Sequence, residues 1–412
     1  MTRSTARRRV TAALAAVGLS LTACSPAGDA TGGGSGPFAV WDPYPQFDGG
    51  SAWARVIAEC GAKAGVEVER QAYDTSDLTG KVLLAAQQGA APDVLVVDNP
   101  VVSTLAEGGV LKANEDSGLD ASQASPNLVA AGRVGDKTYG VPIGANTLAL
   151  YYNKAVLARA GVDPASLTSW AALDAALARV AGAGGKGITF SAIGTEEGSF
   201  QFLPWFWGAG AELTDLSSAE AVAAVGLWKS WLDRGYAPNS VVGNTQTTSW
   251  QEFATGEYAF AENGTWQLGN AARLGFEYGV VPIPARDGGV APAPTGGEFV
   301  TVPARGGADR EATAAKIANC LVGADTVLAT DTALTYVSAI PAVQRQQVEA
   351  EPGLRVWVDA VGSAKGRTGD GLGTRYPRIS QPLWTAVQAV LTGAKPAADA
   401  LRDAQSAAAS AK

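Results

Sequence analysis

The chain has 412 residues, with 31 lysines and arginines against 39 aspartates and glutamates, and no histidine. Without imidazole, Ser-His-Asp and Cys-His catalysis and every His-ligated metal centre are excluded, and no other motif calls for a metal or cofactor. The acidic balance opposes a nucleic-acid partner, and the length predicts two domains, since one hydrophobic core rarely serves so long a chain.

The N-terminus is built like an export signal. Arg3, Arg7, Arg8 and Arg9 precede the apolar run Val10 to Leu21, which is too short for a spanning helix. Leu21-Thr22-Ala23-Cys24 then resembles the bacterial lipobox. That resemblance implies that residues 1–23 are a cleaved signal and that Cys24 carries lipid; an ordinary signal with a chance cysteine is the alternative. Removing 1–23 leaves 27 basic residues against 39 acidic ones. Residues 24–36 are rich in Gly, Ser and Ala and predict a flexible tether. The expected location is the outer face of a cell membrane, held there by the lipid alone. Cys60 and Cys320 are the other two cysteines. In an oxidising space such a pair more often forms a bridge than serves as nucleophile, and two separately buried thiols remain the alternative.

Phe38 to Trp41 predicts a strand, and Ala52 to Ala64 a helix with Trp53, Val56, Ile57 and Cys60 along one face and Gly65 at its end. Val66 and Val68 alternate with Glu67 and Glu69 as a second strand. A helix holding Leu78, Val82 and Leu83 leads to Pro92-Asp93 and the apolar run Val94 to Val97. This alternation predicts βαβ units and a parallel sheet. Further on, Thr147 to Tyr152 predicts a strand and Lys154 to Ala160 a helix. Ser169 caps a helix carrying Trp170, and Ser217 with Glu220 reads as a capping box before a stripe containing Trp228 and Trp231. Phe276 to Pro303 reads as strand, extended crossover, strand, because its prolines and glycines do not suit a central strand throughout. Helices dominate from there, and the Ala-rich last dozen residues are expected to fray.

The residues carry an ordered series: Pro92-Asp93-Val94, Leu105 to Leu111, Lys137-Thr138-Tyr139-Gly140-Val141-Pro142, Leu150-Tyr151-Tyr152-Asn153-Lys154, Gly210-Ala211-Glu212-Leu213, Phe253 to Ala259, Gly264-Thr265-Trp266, Val281-Pro282-Ile283-Pro284 and Gly296-Gly297. In this order they resemble the extracellular solute-binding proteins of ABC importers, in the carbohydrate-type group that includes maltose-binding protein, over nearly all of 37–395. The resemblance implies a two-lobed α/β periplasmic-binding-protein-like fold: one lobe from 37–144 and 295–341, the other from 145–294 and 342–405. Crossings would fall near Ile143–Asn146, Pro292–Thr295 and Ile340–Val343. Gly144 and the prolines at 292 and 294 suit a hinge, as they suit ordinary turns. It further implies a monomeric, lipid-anchored receptor that captures a sugar or oligosaccharide by closure and hands it to two permease subunits with their ATPase. A polyol or glycerol phosphate ester is the alternative solute, and an extracytoplasmic glycosidase the alternative class.

A sugar offers apolar faces and a rim of hydroxyls, so its site needs aromatic plates edged by amides, carboxylates or guanidinium groups. Trp41 and Asp42 end the first strand, with Tyr44 beyond, and Asp98 and Asn99 end the third. The resemblance adds Trp266, Phe200, Gln201, Trp205, Glu298 and Trp384 as ligand-contact positions. Asp98 equally suits a cap before Pro100, and Trp205 suits cleft and core alike. Trp170, Trp228, Trp231 and Trp357 fit core stripes. Asp93 reads as a strand-entry residue, and Glu196-Glu197 as a solvated pair.

Overall fold

The computed structural model describes residues 36–369 and 371–410. The export segment, Cys24 and the tether through residue 35 lie outside them. The strands in chain order are β1 (Phe38–Asp42), β2 (Val68–Ala72), β3 (Val94–Asp98), the hairpin β4 (Arg133–Val134) and β5 (Lys137–Thr138), β6 (Val141–Pro142), β7 (Leu148–Asn153), β8 (Lys186–Thr189), β9 (Tyr258–Gly264), β10 (Tyr278–Val281) and β11 (Glu298–Thr301).

Two sheets organise the molecule: β2-β1-β3-β11-β6 and β10-β7-β9-β8. The predicted parallel run β2-β1-β3 forms through crossover helices Ala52–Lys63 and Thr75–Gln87, and β11 then joins antiparallel between β3 and β6. β3 shows why an unbroken apolar run suits this place. Val94 and Val96 face a core with Trp53 and Ile57, while Leu95 and Val97 face another with Leu78, Val82 and Leu105. A strand covered on both faces has no polar side to alternate with. β7 repeats the pattern in the second sheet: Leu148 and Leu150 meet a core with Trp205, Trp228 and Trp231, and Ala149 and Tyr151 meet Trp250 and Trp357. Asp93 is the strand-entry residue expected, accepting from Ala39 N at 2.8 Å and pairing with Arg310 at 2.6 Å.

The chain passes between the sheets at residues 143–147 and again between β10 and β11. Isolated bridges Ala145–Val337, Asn146–Gly296 and Pro294–Lys365 bind these passages to later segments. The glycines here answer to close packing. A Cβ on Gly144 would come 2.7 Å from Asp331 Oδ1, and one on Gly297, whose φ is +101°, would come 2.7 Å from Gly144 O. Cys60 and Cys320 are joined, Cα atoms 5.6 Å apart, linking helices Ala52–Lys63 and Ala308–Val322.

Local departures have local causes. Ser218, not Ser217, caps the helix Ala219–Asp233, its hydroxyl accepting from Ala221 N, while Ser217 is engaged by Asp215. The final helix runs Ala397–Ser410 instead of fraying over its last dozen residues, since Ala400, Leu401 and Ala404 bury against the second-sheet core. Among the described residues no helix is long and apolar enough to cross a membrane, and no group of metal-ligating side chains occurs.

Candidate functional site

The C-terminal ends of β1 and β3 and the N-terminal end of β11 lie at one edge of the first sheet, because β11 is antiparallel and pairs Glu298 with Asp98. Residues from this edge and from the second sheet's side line one cleft of about 680 Å³. Asp98, Glu298 and the Gly296-Gly297 turn come from the first side. Phe200, from the helix Glu196–Gly208, and Trp266, after β9, come from the second.

Phe200 and Trp266 stand with ring centroids 6.2 Å apart, inclined at 54°, and Arg367 lies over the Phe200 ring at 4.9 Å. Gly264 does not open its backbone to a ligand: a Cβ there would strike the Trp266 ring at 2.1 Å, so the glycine makes room for the tryptophan itself. Arg367 is held in a loop paired to the crossover by Lys365 N to Ala293 O and Thr295 N to Lys365 O, both 2.9 Å. Its guanidinium reaches Asp98 at 3.2 Å and Glu196 at 2.9 Å with only 3% of the side chain exposed. Tyr376 and Ser380 also donate to Glu196.

Glu298 is the electrostatic centre. Tyr44 donates to its Oε2 at 2.8 Å, Tyr336 donates to the same oxygen, and the two hydroxyls are 3.2 Å apart. Burial, then the charge of Asp98, raises the Glu298 carboxyl to about 7, against the opposing pull of the tyrosine donors and Arg367. Burial raises Asp98 as well, with Glu196 adding to it and Arg367 opposing.

Of the eleven expected contact residues, Asp98, Phe200, Trp266 and Glu298 line the cleft. Tyr44 stands behind it through Glu298. The other six are placed elsewhere. Asp42 is saturated by Arg70 (2.5 and 2.8 Å), Trp53 Nε1 and Tyr44 N. Trp41 packs edge-on to Tyr73 at 5.0 Å. Asn99, wholly buried, donates to Thr295 O and Gly297 O and so anchors the crossover. Gln201 and Trp205 are turned inward by the 100° step per residue, being one and five positions after Phe200. Gln201 accepts from Ser191 N, and Trp205 donates to the buried Glu262 at 2.7 Å. Trp384 does not begin a helix. It lies half-buried inside Tyr376–Leu391, whose first turns supply Tyr376 and Ser380 instead.

Arg367, Asn146, Asp74, Thr195 and Gln246 line the cleft without having been expected there, as do Glu196 and Glu197. The last two had a signal: they stand four and three residues before Phe200, on the same helical face. Arg367 had none, being one arginine in a glycine-rich loop. A groove of about 460 Å³ between the last two helices lacks comparable chemistry: of its charged residues, Lys395 and Asp403 satisfy each other and Arg378 is itself engaged.

Comparison with known proteins follows the same lines. The family described as bacterial extracellular solute-binding protein matches residues 55–356. A maltooligosaccharide ABC transporter solute-binding lipoprotein of Streptococcus pneumoniae (strain ATCC BAA-255 / R6) is 28% identical over 247 residues, 57% of each chain. A binding protein of Brucella abortus (strain 2308) is 30% identical over 161 residues, 36% of this chain and 38% of that one. The matches thus span between a third and three-fifths of these relatives. Among solved structures, UgpB from Mycobacterium tuberculosis in complex with glycerophosphocholine superposes with a TM-score of 0.78 at 24% identity, covering 91% of this chain and 98% of that one. At that identity the likeness establishes the two-lobed fold.

Proposed function

Because the chain belongs to the bacterial extracellular solute-binding protein family, we propose that it is the solute-capturing receptor of an ABC importer and that its solute is a saccharide. The carrying observation is the aromatic pair Phe200 and Trp266 facing carboxylates and a guanidinium across one cleft between the two sheets. Aromatic faces take the C–H side of a sugar ring, and Asp98, Glu298, Glu196, Asn146 and Arg367 take its hydroxyls. The pneumococcal relative's maltooligosaccharide points to the same class. A glycerol phosphate ester, suggested by the ligand of the mycobacterial protein, would bring its phosphate against this carboxylate-rich wall.

Contacts from both sides favour a closed form, with the passages at 143–147 and 292–297 as the bend, and the membrane permease recognises that form. The lobes are 37–144 with 295–341, and 145–294 with 342–405. The chain acts by binding, as a monomer tethered through lipid on Cys24, and the permease subunits and ATPase are separate chains. A thermal-shift screen of saccharides tests the reading, since a ligand at a hundred times its Kd adds roughly 2.7 kcal/mol. Absence of a shift with every mono- and oligosaccharide would refute it. Membrane partitioning of a Cys24→Ser variant indistinguishable from wild type would refute the anchor.

A further inference from the structure

The cleft's charge is lopsided. Asp74, Asp98, Glu196, Glu197 and Glu298 line it, and among the described residues Arg367 is the one cation that does. Arg367 is engaged by Asp98 and Glu196. Asp74, Glu197 and Glu298 therefore stand along the cavity without an ion pair to a cation of its lining, although Arg367 acts on Glu298 from a distance. Asp74 makes no side-chain bond at its helix start, and Glu197 accepts from Gln246 N at 2.9 Å. Glu298 takes both tyrosine hydroxyls on Oε2, so neither occupies Oε1.

A neutral saccharide can donate its hydroxyls to these carboxyl groups, but it brings no positive charge to offset Asp74 and Glu197 when the cleft closes. An ammonium group supplies three donors and the missing positive charge, and aromatic faces attract it as well. Arg367 Nε, buried beside the cavity without a partner, is a donor suited to a hydroxyl or ring oxygen. Cation and oxygen together describe an amino sugar. We propose that the saccharide captured here bears a protonated amine, seated among Asp74, Glu197 and Glu298 with its ring against Trp266 and Phe200. This deepens the saccharide reading above and rests on it.

The test compares matched probes on the purified protein by calorimetry: α- and β-1,4 disaccharides of glucosamine, of N-acetylglucosamine and of glucose, with spermidine as a cation lacking a sugar ring. The glucosamine disaccharide of one linkage is expected to bind at least about tenfold tighter than its N-acetylated and neutral counterparts. That margin should shrink as salt rises and screens the charge. Asp74→Asn, at an exposed position whose side chain caps nothing, should narrow the same ratio severalfold. Neutral disaccharides binding as tightly as aminated ones would overturn this inference and leave the saccharide receptor standing. Spermidine binding tighter than every saccharide would overturn both. A salt-independent preference for the amine, untouched by Asp74→Asn, would also overturn it, because charge would not be its cause.

Discussion

Replacing Glu298 by glutamine should change how the unliganded protein responds to pH. The wild-type carboxyl sits near 7 in the folded protein because it is buried beside Asp98; in the unfolded chain it titrates at its ordinary value of 4.5. Below pH 4.5 both states hold the proton, and the group contributes no pH dependence. Between 4.5 and 7 only the folded state holds it, so each unit of rising pH costs about 1.4 kcal/mol, and above 7 the loss is complete. Over the whole window this amounts to about 3 kcal/mol. Glutamine does not titrate and can still accept a tyrosine hydroxyl. Urea unfolding of both proteins at pH 5 and pH 8 should therefore show the variant gaining on wild type by roughly 2–3 kcal/mol across that interval. Tyr336→Phe, which removes one donor to the carboxylate, should move the wild-type midpoint further upward. A wild-type minus variant difference that is the same at both pH values would refute the reasoning: Glu298 would then ionise in the folded protein much as in water.

Trp266→Ala should weaken saccharide binding by about ten- to a hundredfold with a small change in unliganded melting, by analogy with other aromatic stacking. Trp205→Ala, in contrast, should cost about 3–5 kcal/mol of stability, because it removes a fully buried side chain and leaves Glu262 without its donor; unchanged urea midpoints would refute that placement. Arg367→Ala should lower both affinity and stability by leaving Asp98 and Glu196 unpaired, whereas Arg367→Lys should restore charge without the two-sided reach. Reduction of Cys60–Cys320, which closes a 260-residue separation, should cost a few kcal/mol and at most about 5–6 on the chain-entropy account. Free alkylatable thiols in the native protein would contradict the bond.

The frame was legible wherever one physical rule dominated. The run Val94 to Val97 reads as a strand, and it is covered on both faces; the stripe with Trp228 and Trp231 fits a core, and it is buried. Asp98 was legible because it ends a strand, whereas Phe200, Trp266 and Glu298 were reached through the family resemblance. Legibility failed where partners were distant in sequence. Asp42 ends β1 as a contact residue should, yet Arg70 on the neighbouring strand claims its carboxylate. Asn99 has the right chemistry, but it is wholly buried and its amide nitrogen is spent on the crossover at residues 295 and 297. The resemblance groups Phe200, Gln201 and Trp205, with Trp205 suiting cleft and core alike, and helical rotation separates them. Arg367 gains its meaning only from Asp98 and Glu196, 269 and 171 residues away.

The position of β11 inside the first sheet bears on the order in which the chain can fold as it is delivered, N-terminus first, during synthesis. β1, β2 and β3 appear early, but the strand that covers β3's open edge arrives late: Thr301 Oγ1 bonds Leu95 O across 206 residues. The second sheet, β7 to β10, lies entirely within that interval. It can close on itself while β3, all valine and leucine up to Asp98, still waits with an unpaired edge. Such an edge is the part of a nascent chain most prone to pairing with the wrong partner. Folding of this chain is therefore a race between delivery of residues 298–301 and capture of that strand by a neighbouring molecule. Slowing chain elongation between residues 100 and 300 should send more of it into aggregates than an equal delay after residue 320.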